Sequence, residues 1–264
     1  MSTLALRAVN AAPWGDALLE NIDFTVEAGS VLALAGPNGA GKSSLLRLIA
    51  GDVPCSAGSL AFGERPLSEW PLEERAQHLA VLPQLSLLNF PYTVEEVVLL
   101  GRIPHDSGRV RDREILENVL QLTDTASLRE RLYTQLSGGE KQRTQLARVF
   151  AQVWEESSLD GKLLLLDEPT SALDMAHQQQ MLSTVKLLAR RGCSVVLVIH
   201  DLNLAASIAD QVLVLDKGQQ VALGTPKQVL TPPLFRQVFQ VDVAIERHPR
   251  HNYPVITPLR AAVE

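Results

Sequence analysis

The sequence predicts an α/β fold: a mainly parallel sheet, an antiparallel β portion and an inserted α-helical subdomain. Three observations carry this. Two short, wholly apolar runs, Val31–Ala35 and residues 163–166 (followed by Asp167), each lead into a loop and then a helical pattern, as buried parallel strands do. A third such run, residues 194–199, reads Ser-Val-Val-Leu-Val-Ile. Between these strands the apolar spacing over residues 85–155 turns helical.

In chain order, Val31–Ala35 is a strand, a Gly-rich loop follows at once, and Leu45, Leu46, Leu48 and Ile49 form the inner face of a helix that stops at Gly51. The helical stretch shows Val94, Val97 and Val98, then Ile115, Val119 and Leu120, then Leu146, Val149 and Phe150. Residues 157–161 read as a surface loop before the four-leucine strand. A Pro-Thr-Ser loop then enters a helix near Asp174 that carries Met181, Leu182, Val185 and Leu188. Residues 211–215, a Lys217-Gly218 turn and residues 219–223 read as a hairpin. The expected division is a core of residues 1–84 and 156–231, a helical subdomain of 85–155, and a tail of 232–264 in which residues 241–245 and 253–256 are candidate strands.

The 264 residues are enough for a substantial core, and 46% hydrophobic with 20% charged residues is an ordinary globular balance. A net charge of −6 argues against a general nucleic-acid-binding face. Cys55 and Cys193 form no C-x-x-C pair and point to reduced thiols in a cytoplasmic compartment. No signal peptide or membrane-spanning run is read, so service at a membrane requires another chain to cross it.

Gly36-Pro37-Asn38-Gly39-Ala40-Gly41-Lys42-Ser43 has the spacing of a phosphate-binding loop. Its glycines let the backbone wrap a polyphosphate, its N–H groups point inward, and the following helix adds its positive end. Lys42 then reaches β and γ oxygens, and Ser43, followed by Ser44, ligates Mg²⁺. Asp167, at the end of a buried strand, suits Mg²⁺, and Glu168 suits polarising the attacking water.

Leu-Ser-Gly-Gly-Glu at residues 136–140, followed by Leu-Leu-Leu-Leu-Asp-Glu-Pro-Thr-Ser-Ala-Leu-Asp, resembles the ATP-binding subunits of ABC transporters over nearly the whole chain. The resemblance implies an ABC-type ATPase that uses ATP and Mg²⁺ and works with a second copy of itself. Ser137, Gly138, Gly139 and Glu140 would contact the nucleotide held by the other subunit, and Ser171, Ala172, Leu173 and Asp174 would cross the dimer interface. Gln84 matches the glutamine that senses Mg²⁺ and couples to the membrane partner, and His200 matches the switch histidine at the γ-phosphate. Trp14 has two readings, stacking on adenine or packing in the core.

Finer likeness, in Gly101-Arg102-Ile103-Pro104-His105, in Asp174-Met175-Ala176-His177-Gln178 and in the stretch around Trp154, is to the ATPases of iron-siderophore, haem and cobalamin importers, most of all haem. It implies a transmembrane permease dimer, indirectly a periplasmic substrate-binding protein, no nucleic acid, and a peripheral place on the cytoplasmic face of the inner membrane. His105 and His177 invite a haem-ligand reading, but no C-x-x-C-H and no apolar haem pocket accompany them. Non-transport ABC ATPases are the competing class. Their long heptad arms or paired ATPase units are not seen here. A GTPase is disfavoured because no Asn-Lys-x-Asp motif is present.

Overall fold

A computed structural model describes residues 2–13, 15, 18–84, 88–155 and 158–259. Strands β1 (Ser2–Ala11), β2 (Leu19–Glu27) and β3 (Val31–Ala35) precede helix α1 (Lys42–Ala50). Next come β4 (Ala57–Phe62), β5 (Arg65–Pro66), α2 (Leu72–His78) and β6 (Leu79–Leu82). Helices α3 (Val94–Leu99), α4 (Arg109–Leu122) and α5 (Gly138–Val153) form the helical stretch. The chain then returns through β7 (Leu163–Asp167), α6 (Met175–Arg190), β8 (Ser194–Val198), α7 (Leu202–Ile208), β9 (Gln211–Asp216) and β10 (Gln219–Gly224). A hairpin of β11 (Val243–Arg247) and β12 (Pro254–Pro258) follows.

Ten strands form one sheet in the order β5-β4-β1-β2-β10-β9-β3-β8-β7-β6. The run β9-β3-β8-β7-β6 is parallel, and β1, β2, β4 and β5 pair antiparallel on the other side. The parallel strands are apolar along their interiors because both faces are covered. Residues alternate between the faces at period 2. Ala33, Leu164, Leu166, Val195 and Leu197 pack with α5, α6 and the helical stretch, whereas Leu32, Leu34, Leu163, Leu165, Val196 and Val198 pack with α1 and the antiparallel strands.

Local chemistry sets the helix ends. Gly51 ends α1 in the left-handed region (φ 83°), its N–H returning to the carbonyls of Arg47 and Leu48. Thr93 with Glu96 and Ser137 with Glu140 are capping boxes that open α3 and α5. Asp174 and Asp201 cap α6 and α7.

Two expectations are corrected. The stretch at 157–161 is not simply a surface loop: Leu159 is fully buried, and its N–H donates to the Arg191 carbonyl. The tail strands are displaced toward the C-terminus, to Val243–Arg247 and Pro254–Pro258, because an outer hairpin accepts proline where the missing N–H faces away from its partner. Both cysteines are free, and burial pushes the Cys193 thiol up to about 12. Among the described residues no helix is long and apolar enough to cross a membrane.

Candidate active site

Four neighbouring parallel strands end on one edge of the sheet, and each delivers part of the site: β3 the Gly-rich loop, β8 His200, β7 Asp167 and Glu168, and β6 Gln84. This is where an open α/β sheet binds ligands. The loop after β3 leaves the strand at Gly36, where φ is 146° and a Cβ would lie 2.2 Å from the Leu215 carbonyl oxygen. Only glycine fits that approach. Gly41, at φ 100°, starts α1, so unpaired N–H groups and the positive helix end face the cleft. Lys42 folds back over the loop and donates to the carbonyl oxygens of Gly36 (2.8 Å) and Pro37 (2.9 Å). Burial holds its ammonium below the usual lysine range, against the opposing pull of Glu168 and Asp167.

Burial also holds the Asp167 carboxyl above the usual range, and the Glu168 charge adds to this. A hydrogen bond from Ser43 and the positive charges of Lys42 and His200 act the other way. One Asp167 oxygen, Oδ1, is buried without a hydrogen-bond partner. An orphaned carboxylate oxygen beside a serine hydroxyl is a hard, oxygen-only donor pair of the sort Mg²⁺ takes. Glu168 adopts a left-handed conformation (φ 49°), an uncommon one for a residue with a side chain. Its Oε1 accepts from Gln84 Nε2 at 3.1 Å and pairs with His200 Nε2 at 2.6 Å. The structure therefore gathers Gln84, Glu168 and His200 on one atom.

A cleft of about 530 Å³ joins these parts, lined by Asn38, Gly39, Ala40, Gly41, Lys42, Ser43, Ser44, Gln84, Glu168 and His200. Leu18, Lys217 and Gly218 also line it, and sequence reasoning missed them there. The Lys217-Gly218 pair is legible as a turn, but its place is set by a long-range bond, Gly218 N–H to the Ala40 carbonyl at 3.0 Å. Trp14 lies outside the described residues. A larger hollow of about 890 Å³ beside α4 is lined by Glu95, Ile103, Arg109, Val110 and Glu114 and includes no residue of the Gly-rich loop.

Residues 137–140 do not line the cleft. Ser137 and Gly138 are exposed at the start of α5. Glu140 Oε2 accepts from the Ser137 N–H at 2.7 Å, and this bond chiefly holds its carboxyl below the usual range. The turn rests against the loop after β7: a Cβ on Gly139 would lie 2.9 Å from the Ala172 carbonyl oxygen, and Gln142 Nε2 donates to the Pro169 carbonyl at 3.2 Å. Ser171, Ala172 and Asp174 are exposed, and Leu173 is buried. His105 and His177 are engaged with protein partners, the Gln152 carbonyl and two aspartates.

The sequence profile described as ABC transporter matches residues 19–171, more than half of the chain. The hemin import ATP-binding protein HmuV of Pseudomonas entomophila (strain L48) is 50% identical over 239 residues, covering 90% of this chain and 93% of its own length. HmuV of Gloeobacter violaceus (strain ATCC 29082 / PCC 7421) is 47% identical over 247 residues, covering 93% of this chain and 90% of its own. Among solved structures, an inward-facing transporter described as metal-chelate type superposes with a TM-score of 0.81 at 26% identity, with 100% of both chains covered. The chain belongs to the ABC transporter family, as an ATP-binding subunit of the kind that hydrolyses ATP to drive transport.

Proposed function

We propose that this chain energises haem uptake across the inner membrane, as a pair of copies docked on the cytoplasmic face of a transmembrane permease dimer that a periplasmic substrate-binding protein loads. Haem import is the printed role of relatives up to 50% identical over nearly the whole chain. Iron-siderophore or cobalamin uptake is the alternative cargo. In this reading residues 1–84 and 156–231 are the catalytic core, 85–155 the helical subdomain and 232–264 the tail.

The loop from Gly36 to Ser44 holds the phosphates of ATP, with Lys42 at the β and γ oxygens. Ser43 and Asp167, with Gln84 nearby, would hold Mg²⁺, which when bound neutralises phosphate charge. The buried, unpartnered Asp167 Oδ1 supports this assignment. Glu168 orients and deprotonates the attacking water, while Gln84 and His200 steer its carboxylate and His200 faces the γ-phosphate. Ser137, Gly138, Gly139 and Glu140 contact the nucleotide of the other copy, and residues 171–174 cross between the copies.

One observation carries the reading: a single Glu168 oxygen receives both Gln84 and His200 beside the phosphate loop, while the exposed signature turn stays outside that cleft. The test is Glu168→Gln. Turnover should fall by about 10²–10⁴-fold, the scale of a lost general base. ATP should still bind and should trap a dimer in sedimentation. Wild-type turnover would remove Glu168 from the chemistry, and failure to dimerise would remove the second copy. For cargo, the subunit reassembled with its permease and binding protein in vesicles should hydrolyse ATP faster with haem than with cobalamin or an iron-siderophore. The reverse order would overturn haem.

A further inference from the structure

His177 lies outside the machinery described so far, yet it commits both ring nitrogens. Asp174 closes the interface loop and caps α6, its Oδ1 accepting from the His177 backbone N–H at 2.9 Å. The His177 ring turns back to the same oxygen, with Nδ1 at 2.9 Å, and extends Nε2 to Oδ2 of Asp124 at 3.3 Å. Carboxylate oxygens only accept, so the donor in this contact set is the imidazole N–H. Asp124 follows α4 in a left-handed conformation (φ 50°). Arg143, on the second turn of α5, donates from Nη1 to Asp124 Oδ2 at 2.8 Å and to the Asp124 carbonyl oxygen at 2.5 Å.

An unbroken chain thus runs Asp174–His177–Asp124–Arg143. It joins the interface loop to the helix that Ser137 caps. Two neutral bonds reinforce it, from Gln180 Nε2 (3.2 Å) and Thr184 Oγ1 (3.4 Å) on α6 to the Leu122 carbonyl at the end of α4. The His177 side chain is 26% exposed, whereas the Asp124 and Asp174 side chains are 64% and 66% exposed, so the charged part of the tether is open to screening by salt.

We infer that His177 is a positioning residue: it fixes the interface loop of one copy against that copy's own signature helix, so that both surfaces meet a second copy as one preformed unit. The inference rests on the two-copy reading above. Without the tether each surface must be ordered separately on assembly, which weakens association and turnover. Nucleotide binding to the phosphate loop of a single copy does not depend on it.

The experiment uses the full-length chain carrying Glu168→Gln, with ATP-driven dimerisation followed by sedimentation, and ATP affinity by fluorescent-analogue titration at protein concentrations below those of dimerisation, where linkage to association does not enter. Adding His177→Ala should raise the protein concentration for half-dimerisation by about 5-fold or more, within the usual span of coupled pairs, and leave ATP affinity within about 2-fold. Asp124→Gly keeps the left-handed conformation available and should do the same. The double variant should be no worse than the worse single. If His177→Ala does not fold, His177→Gln, which retains an N–H donor, replaces it and should show a smaller loss in the same direction. Dimerisation unchanged by His177→Ala, independent effects in the double variant, or loss of ATP affinity would each overturn the inference alone. A Glu168→Gln parent that stays monomeric with ATP would overturn the two-copy reading beneath it.

Discussion

Replacing Gly139 by alanine probes the joint between the turn that Ser137 caps and the loop after β7, the two surfaces proposed to meet a second copy. The added Cβ would stand 2.9 Å from the Ala172 carbonyl oxygen. Contact between such atoms is relaxed near about 3.5 Å, so turn and loop must part by about half an ångström. Both partners are backbone, so no flexible side chain can absorb the shift. Helix propensity acts in the opposite sense, since alanine favours a helix over glycine by up to about 1 kcal/mol. The folded chain should therefore melt within about 4 °C of the wild type. Misplacing a catalytic constellation by about 1 Å costs on the order of 10²-fold, so half of that should cost about 10-fold in kcat. Steady-state phosphate release at saturating ATP, beside a thermal melt, measures both quantities. Unchanged turnover would show that the contact does not set the geometry of the paired site. A melting point lowered by more than about 10 °C would show that the joint holds the fold together instead.

Two further outcomes follow from buried charge. Burial holds the Asp167 carboxyl above its ordinary value, so without Mg²⁺ the folded chain keeps a proton that the unfolded chain releases, and stability falls as pH rises from about 4 upward through the folded value. Asp167→Asn should remove that slope in thermal melts with a chelator and abolish turnover; an unchanged slope would assign the titration to another group. Arg102, only 4% exposed, pairs with Asp112 at 3.0 Å and donates to the Ala151 carbonyl at 2.7 Å and to the Ser107 hydroxyl at 2.9 Å. Arg102→Ala should cost about 3–5 kcal/mol in urea unfolding, because it removes the cation from Asp112, leaving that carboxylate only the Ser107 hydroxyl, and takes the close donor from the Ala151 carbonyl; a loss below about 1 kcal/mol would show that water repairs the gap.

What the sequence disclosed was local. A strand buried on both faces must be apolar along its interior, and Val31–Ala35 and the four leucines 163–166 have no other use for such runs. Ser137 and Asp174 announce helix starts because a side-chain oxygen must meet orphan N–H groups there. The antiparallel strands β1, β2, β4 and β5 went unplaced, although Ile22, Phe24 and Val26 alternate as a half-buried strand should. Leu159 was unreadable as core because its burial depends on the distant Arg191 carbonyl, and Lys217 was unreadable as a cleft residue because Gly218 must first bond Ala40. The tail strands were legible at 241–245 and 253–256 but run about two residues further, to Arg247 and Pro258, where charged residues and a proline dilute the β pattern.

Helix α5 has a further consequence. Its last turns are bound down: Gln152 Nε2 donates to the carbonyls of Ala76 and Leu79, and Arg102 grips the Ala151 carbonyl. At sixteen residues it is a rod about 24 Å long, with Ser137 at the far tip, held there through Gln142 and Arg143. Pivoting by about 10° at its moored end would swing that tip about 4 Å, more than a hydrogen bond's length. Under the two-copy reading proposed above, a slight push near the fulcrum would therefore decide whether the Ser137 turn reaches a second copy's phosphate.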